Sequence, residues 1–423
     1  MVSPLRYLLA PVLVVFVVGL AALTLFGDLL AASPPLSVAL LAFDARVLLG
    51  LAVAIFGVSF LLYLYSLSRE DPDALVHSGR SVEALVPVYG EEQVMHRSVE
   101  HLAASTYEDL TVTVVCEPDD EPCIERAADL AAAHDRVRYL VNDRPGSKAG
   151  ALNDGIERSD ADVIAMFDAD QEPHPELIAH GMAALEDSDV ARVRTLPRPS
   201  EGWLESMAYY EYLLLFFLPQ KLVRYLLGLG FAGTRSVLVE RGVFERVGLF
   251  SEDHLTEDMD FTHRCHQAGL SIRELSYYPC FEESAHTLRD WWGQRVRWMT
   301  GHVAVGHSHV RDWRKLVDPD FLGSLVTLVG TFAAGVVLSV TLPKLVLVAV
   351  GSPGVVAAGL GGIYAIALLT RAVDSTTADV SGFDLGWVLI PVALTLFGLV
   401  IVQVILSYAL GREGGWYQVE KHA

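Results

Sequence analysis

Lysine is almost missing from this chain: five stand among 31 basic residues, against 52 acidic ones, and the formal net charge is −21. Binding to a phosphate backbone needs clustered cations, so this balance argues against nucleic acid as the main partner. It fits a protein kept soluble in concentrated salt, where carboxylates stay hydrated and their repulsion is screened. Cysteine is scarce too. Cys116, Cys123, Cys265 and Cys280 form no Cys-x-x-Cys pair and no zinc spacing, so all four are expected to be reduced and structural. No Gly-x-Gly-x-x-Gly follows the first strand-like run of the charged region, which disfavours a dinucleotide fold. Gly146-Ser147-Lys148 lacks the upstream glycine and the following Ser/Thr of a P-loop. Internal repeats and low-complexity tracts are absent as well.

Apolar residues, by contrast, make up 52% of the chain and gather at its two ends. Residues 5–27 and 47–68 are nearly uncharged and long enough to cross ~30 Å of hydrocarbon at ~1.5 Å per helical residue. A cleaved signal peptide is the competing reading of 5–27, but that run exceeds the usual apolar core of ~7–15 residues. After Phe321 three more spans fit, at roughly 322–350, 355–370 and 386–410. Pro343 and Lys344 predict a tilt, a kink or an early end within the first of these, and Gly351-Ser352-Pro353-Gly354 a turn before the next. Most of the charge lies between Arg69 and Pro319, a length that can bury its own core. The expected organisation is therefore two helices in 1–68, one domain in 69–319, about three helices in 320–412 and a tail in 413–423.

That domain opens as apolar runs alternating with amphipathic stretches. Strands are expected at 83–88, 110–116, 137–141 and 163–167, with helices at 91–104, 121–134 and 148–158. The alternation implies parallel pairing in an α/β sheet, with ligands at the carboxyl ends of the strands. Four segments lie there: 87–92, 117–120, 142–153 and 168–170. Residues 203–228 are apolar but carry Glu205, Glu211, Pro219, Lys221 and Arg224, which fits a helix lying in the membrane interface or packed in the domain better than a span. Residues 288–309 interleave Trp291, Trp292, Trp298 and Met299 with Arg289, Arg295 and Arg297. An interfacial helix and a plain amphipathic surface helix both fit.

Three clusters could carry chemistry. Asp168 and Asp170 flank Ala169 after an apolar strand; on an extended backbone both would face one side and could hold a hard divalent cation with diphosphate oxygens. A polar turn is the alternative. Thr256-Glu257-Asp258 precedes a predicted helix: Thr256 can cap it and the carboxylates suit its positive end, or one carboxylate serves as general base for an acceptor hydroxyl. In Gln294-Arg295-Val296-Arg297-Trp298, the arginines and the tryptophan can anchor at the interface. Alternatively Arg297 stabilises a diphosphate leaving group and Trp298 stacks on a sugar. His263, His266, His286, His302, His307 and His309 match no metal spacing and are expected to be solvated.

Taken in order, the motifs resemble those of the membrane-integrated, inverting family 2 glycosyltransferases, which include cellulose, hyaluronan and poly-N-acetylglucosamine synthases. Val86-Pro87-Val88-Tyr89-Gly90-Glu91-Glu92 is similar to the family's opening nucleotide-binding loop, with Gly90 where asparagine is usual. The segment from Arg144 to Asn153 (RPGSKAGALN) is similar to its lysine-containing helix start, and Phe231-Ala232-Gly233-Thr234 to the segment lining the acceptor region. Asp168-Ala169-Asp170, Thr256-Glu257-Asp258 and the Gln294, Arg297, Trp298 set complete the series. The resemblance implies a glycosyltransferase A-type α/β domain inserted between transmembrane helices, with interfacial helices near 203–228 and 288–309. It implies a UDP-sugar donor bound by Pro87, Tyr89, Glu91, Glu117, Lys148, Asp168, Gln294 and Arg297, and Mg2+ or Mn2+ on Asp168 and Asp170. Asp258, Glu257 and Arg297 would be catalytic, with Gly233, Thr234 and Trp298 at the acceptor. Two departures stand out: Cys116-Glu117-Pro118-Asp119-Asp120 replaces the frequent Asp-Asp-Gly-Ser, and 283–287 lacks a proline many relatives have. The implied activity is sugar transfer to a growing polysaccharide, coupled to export, by a multi-pass cell-membrane protein with a cytosolic catalytic domain. Non-processive transfer to a membrane lipid or polyprenyl phosphate is the alternative, and a transporter or receptor with an inactive sugar-nucleotide domain the remote one.

Overall fold

The computed structural model describes residues 34–198, 202–252, 256–311, 319–378, 380 and 384–410. The expected span at 5–27 and the tail at 413–423 lie outside them. The described residues divide into two compact units: one within 67–198 and 230–285, the other within 34–66, 202–229 and 286–410.

The first unit is built on eight strands: β1 (Val82–Val88), β2 (Leu110–Cys116), β3 (Val137–Val141), β4 (Val163–Met166), β5 (Glu172–Pro173), β6 (Val190–Pro197), β7 (Val237–Glu240) and β8 (Ile272–Glu282). Their order across the sheet is β3-β2-β1-β4-β7-β6-β8-β5. The parallel pairing expected from the alternation of strands and helices holds from β3 to β4. Beyond β4 the expectation ends, because β7 runs antiparallel to both β4 and β6 and makes the sheet mixed. Helices cover both faces, so β1 is buried along its whole length. Its alternate residues Val82, Ala84, Val86 and Val88 enter one core and Leu85 enters the other. Two glycines let helices press close to the sheet: a Cβ on Gly155 would stand 2.9 Å from the Leu85 methyls, and one on Gly181 2.9 Å from those of Leu238. All four cysteines are buried free thiols in this unit, as expected.

The second unit is helical. Val47–Ser68, Pro353–Thr377 and Gly386–Ala409 are long and apolar enough to cross a membrane. Val329–Leu338 and Thr341–Gly351 meet at a bend of 49° and make a fourth candidate if counted as one broken span. The run at 322–350 thus kinks ahead of Pro343, which sits in the first turn of the second piece, where a missing N–H costs little. A Cβ on Gly398 would lie 2.2 Å from the Ser339 nitrogen, so the last helix packs directly on the break. Residues 203–228 form two helices, Trp203–Glu211 and Leu218–Leu227, joined by a π-helical turn, Tyr212–Phe217. Two of the charges that argued against a span there, Glu211 and Lys221, are buried. Asp374, also buried, accepts hydrogen bonds from the hydroxyls of Tyr63 (3.0 Å) and Tyr209 (2.5 Å), which offset the cost of a carboxylate among apolar helices.

Candidate active site

At the carboxyl end of β1, Pro87 and Val88 lead into Tyr89, which is exposed, and Gly90, which takes a φ of +64°. The Gly90 N–H donates to Asp120 Oδ2 (2.5 Å), and the Glu91 N–H to the Cys123 sulfur (3.3 Å). Asp120 also accepts from the Cys123 N–H and so caps the helix Glu121–Ala133. Asp120 therefore ties two strand-end loops together. Glu117, one of the residues expected at the nucleotide, braces the next loop: Oε1 accepts from Asn142 Nδ2 (2.6 Å) and Oε2 from the Gly146 N–H (2.9 Å). Burial, ahead of the Asp120 and Glu117 charges, pushes the neighbouring Cys116 thiol up to about 12, which keeps it neutral.

Ser147 caps the helix Lys148–Arg158 by accepting from the Gly150 N–H. A Cβ on Gly150 would lie 2.2 Å from the Arg144 carbonyl oxygen, so only glycine lets the loop fold back onto the first helical turn. The Lys148 ammonium donates to Asp168 Oδ1 and, at 3.2 Å, to Thr234 Oγ1. β4 ends at Met166 and a turn begins by Ala169, so the extended-backbone argument for a shared face of Asp168 and Asp170 does not apply. Asp168 is partly exposed and Asp170 buried. Among the described residues no third His, Cys, Asp or Glu joins them in a metal-holding group.

Residues 231–236, which lead into β7, are bonded to the helix Glu257–Gln267 and to Lys148. Gly233 takes a φ of +74°. Thr262 fixes the loop, accepting from the Ala232 N–H (3.1 Å) and donating to the Asp258 carbonyl (2.7 Å). Thr234 Oγ1 donates to Glu257 Oε1 (3.1 Å). Asp168, Lys148, Thr234 and Glu257 thus form one chain of contacts linking four motifs far apart in sequence. Sequence reasoning missed Arg235. Its Nη1 donates to Glu282 (2.7 Å) and its Nε lies 3.9 Å from Asp168 Oδ2. Burial works against its charge, but Glu282, Asp168, Asp258 and Asp170 together outweigh it and hold the guanidinium above the usual arginine value. The available signal was an arginine directly after the Gly-Thr pair.

Two expectations need correcting here. Thr256 stands at the N-cap position but makes no side-chain capping bond, and its hydroxyl is buried. His263 and His266 are buried rather than solvated, because they lie on the inner face of the Glu257–Gln267 helix; His266 Nε2 sits 2.6 Å from the Gly230 carbonyl.

Burial, and after it the Asp258 charge, pushes the Glu257 carboxyl up to about 7 from an ordinary 4.5. As pH rises from 4.5 to about 7 the unfolded chain releases this proton while the folded one retains it, so the Glu257 contribution to stability falls across that window. Glu257→Gln should therefore gain stability relative to the parent as pH rises, by roughly 1 kcal/mol or more above pH 7. Melting curves across the window test this; a pH-independent difference between the two proteins would count against it.

Gln294, Arg297 and Trp298 lie in the second unit, on the helix Leu288–Arg311. Arg295, between them, is the buried member: Nε and Nη2 donate to Glu211 at 3.1 and 2.8 Å, and Trp291 Nε1 donates to the same carboxylate at 2.8 Å. Its guanidinium lies 4.6 Å from the Trp298 ring centre, and it also donates to Gln294. Phe216 packs edge-on against Trp298 at 5.9 Å.

Comparison with known proteins adds to this geometry. The family described as "Glycosyltransferase like family 2" matches residues 79–301. The chain is 25% identical over 288 residues to the beta-monoglucosyldiacylglycerol synthase of Trichormus variabilis, covering 66% of this chain and 60% of that one. It is 23% identical over 248 residues to the poly-beta-1,6-N-acetyl-D-glucosamine synthase of Staphylococcus aureus, covering 56% and 58%. It thus spans about three fifths of the length of these curated relatives. Among solved structures, the mannosyltransferase PcManGT from Pyrobaculum calidifontis, in complex with GDP-Man and Mn2+, has the same fold at a TM-score of 0.52 and 16% identity, over 87% of this chain and 100% of that one.

Proposed function

Because this chain belongs to the family 2-like glycosyltransferases, we propose that it transfers a hexose from a nucleoside-diphosphate sugar, UDP-linked on the first reading, to a hydroxyl at a membrane surface. The observation that carries this is the contact chain Asp168–Lys148–Thr234–Glu257, with Asp258 beside it: donor-side and acceptor-side motifs meet at one end of the sheet.

In this reading Asp258 accepts the proton of the acceptor hydroxyl as its oxygen attacks the anomeric carbon. The bond from that carbon to the diphosphate breaks on the opposite face, inverting the configuration. Lys148 neutralises charge on the departing nucleoside diphosphate, and Arg297 has the same task from the signature helix. Neutral Glu257 keeps Thr234, and through it the 231–236 loop, in register. Pro87, Tyr89 and Glu91 border the nucleotide, Glu117 shapes its loop, and Gly233 faces the acceptor; for Gln294 and Trp298 the motif implies a donor-side and an acceptor-side role.

Two carboxylates with no third ligand from the described residues suit a hard cation that takes its remaining ligands from phosphate and water. Mg2+ or Mn2+ on Asp168 and Asp170 would supply positive charge to the diphosphate oxygens.

The first reading of the acceptor is a growing polysaccharide exported past the helices of a multi-pass protein whose catalytic unit is cytosolic. The second is a membrane lipid receiving one or a few sugars; the 288-residue match to a glycolipid synthase favours it. Purified protein mixed with radiolabelled UDP-hexoses and native membrane lipid should release UDP in a metal-dependent way. A product retained in the aqueous phase at high mass supports the polymer, and a solvent-extractable single-sugar product the lipid. No nucleotide release from any UDP- or GDP-hexose would sink the proposal.

A further inference from the structure

Arg235 stands where the donor and acceptor motifs meet, yet nothing in the proposed reaction uses it. Its position is held by strain. The following residue, Ser236, is buried and takes a φ of +50°, a left-handed conformation that side-chain-bearing residues rarely adopt. Ser236 is fixed there by hydroxyl contacts with Gln171 Oε1 (3.4 Å) and Thr195 Oγ1 (3.3 Å), and Gln171 also accepts from the Asp168 N–H (3.0 Å). The strained residue is thus bonded to the glutamine that positions the Asp168 backbone. Strain persists where its surroundings over-determine it, and it clusters at ligand sites. Here it directs the preceding side chain, Arg235, toward Asp168 and Glu282.

The charges give this placement a purpose. Asp168, Asp170, Asp258 and Glu282 act on Arg235, and Lys148 is the other cation at Asp168. Four carboxylates against two cations leave an excess of negative charge that attracts a divalent ion. With such an ion bound the excess is cancelled, and an incoming diphosphate meets Arg235 and Lys148 as its partners in this cluster. A guanidinium presents its N–H donors in a planar fork that matches phosphate oxygens in pairs, which an ammonium cannot do.

We propose that Arg235 is a donor-binding residue that contacts the diphosphate directly, and that it competes with the divalent ion for Asp168. This rests on the reading of Asp168 and Asp170 as the donor's metal-holding pair. It makes a signed prediction that a purely structural role does not. Removing the guanidinium should leave affinity for the ion alone equal or higher, because a competitor is gone. The same change should weaken nucleotide binding by roughly 10- to 100-fold, the loss typical of a charge-assisted contact.

The test uses the full chain in detergent, the parent and the variants Arg235→Met and Arg235→Gln. Mn2+ binding is read from the paramagnetic resonance of the free ion, and UDP and GDP binding, each with Mn2+, by calorimetry. The expected result is unchanged or tighter Mn2+ and weaker nucleotide in both variants. Parallel loss of Mn2+ and nucleotide would assign Arg235 a structural role and overturn the inference, as would nucleotide binding equal to the parent. If one substitution fails to fold, the other carries the comparison. A parent that binds neither UDP nor GDP with Mn2+ would reject the donor-site reading itself, and this inference with it.

Discussion

Asp258→Asn is expected to slow sugar transfer by about 10²- to 10⁴-fold, the usual contribution of a positioned general base, with UDP affinity in saturating metal changed far less. The substitution keeps shape and an oxygen in place: Asp258 Oδ1 accepts from the Met259 N–H (2.8 Å), and an amide oxygen does so equally. What is lost is the basicity and the negative charge that acts on Glu257 and Arg235. Glu257, next in the chain, is no replacement, since burial favours its neutral form and Thr234 holds one of its oxygens. The variant should also melt as the parent does, which separates a lost base from a disturbed loop. Turnover near the parent rate would remove Asp258 from the mechanism and leave it a helix-start carboxylate.

Glu211→Ala is expected to destabilise the helical unit by about 3–5 kcal/mol, because it strands a buried cation. The Glu211 side chain has 0% of its surface exposed and that of Arg295 8%. Three N–H donors, one from Trp291 and two from Arg295, would lose their acceptor together. Glu211→Gln retains an oxygen for one of them and should lose less. Denaturant titration in detergent, followed by tryptophan emission, measures both, since Trp291 is itself a reporter. Equal midpoints for parent and alanine variant would mean that the pair contributes nothing net. The same loss should blunt activity more than it blunts UDP binding, because Arg295 also lies over Trp298, one of the proposed acceptor contacts.

The first half of the catalytic unit was legible in the sequence. The boundaries at 110–116, 137–141 and 148–158 are those observed: Leu110–Cys116 is mostly Val and Thr, Val137–Val141 mixes Val, Tyr and Leu with one Arg, both are followed by polar residues, and the helix starts at a serine cap. The second half was not. β6 and β8 run parallel with a register shift between Val193 and Thr195, and β7 is only four residues long, too short to give a period. Candidate residues carried by contiguous motifs, such as Asp168 and Lys148, could be named in advance, and the structure brings these two into contact. Arg235 had only its place after the Gly-Thr pair as a signal, because its setting depends on Glu282 and on the backbone turn at Ser236, which leave no local pattern. The His263 and His266 expectation failed for a related reason. Spacing argued against a metal, but exposure depends on which helix face is covered, and a polar sequence such as that of Glu257–Gln267 conceals this.

The π-helical turn at Tyr212–Phe217 bears on how this protein tolerates changes in its length. Such a turn is equivalent to one residue inserted into an α-helix, and it tends to persist where function depends on it. Deleting one residue between 212 and 217 would let the segment heal into regular helix and rotate the downstream helix, Leu218–Leu227, by about 100°. Lys221 and Arg224 would then leave their present faces, while Glu211, upstream, would keep its pairing with Arg295. Homologues that differ here by a single codon would therefore share the buried ion pair and differ in how the Leu218–Leu227 helix displays its cations, a divergence that substitutions alone would reach only through many steps.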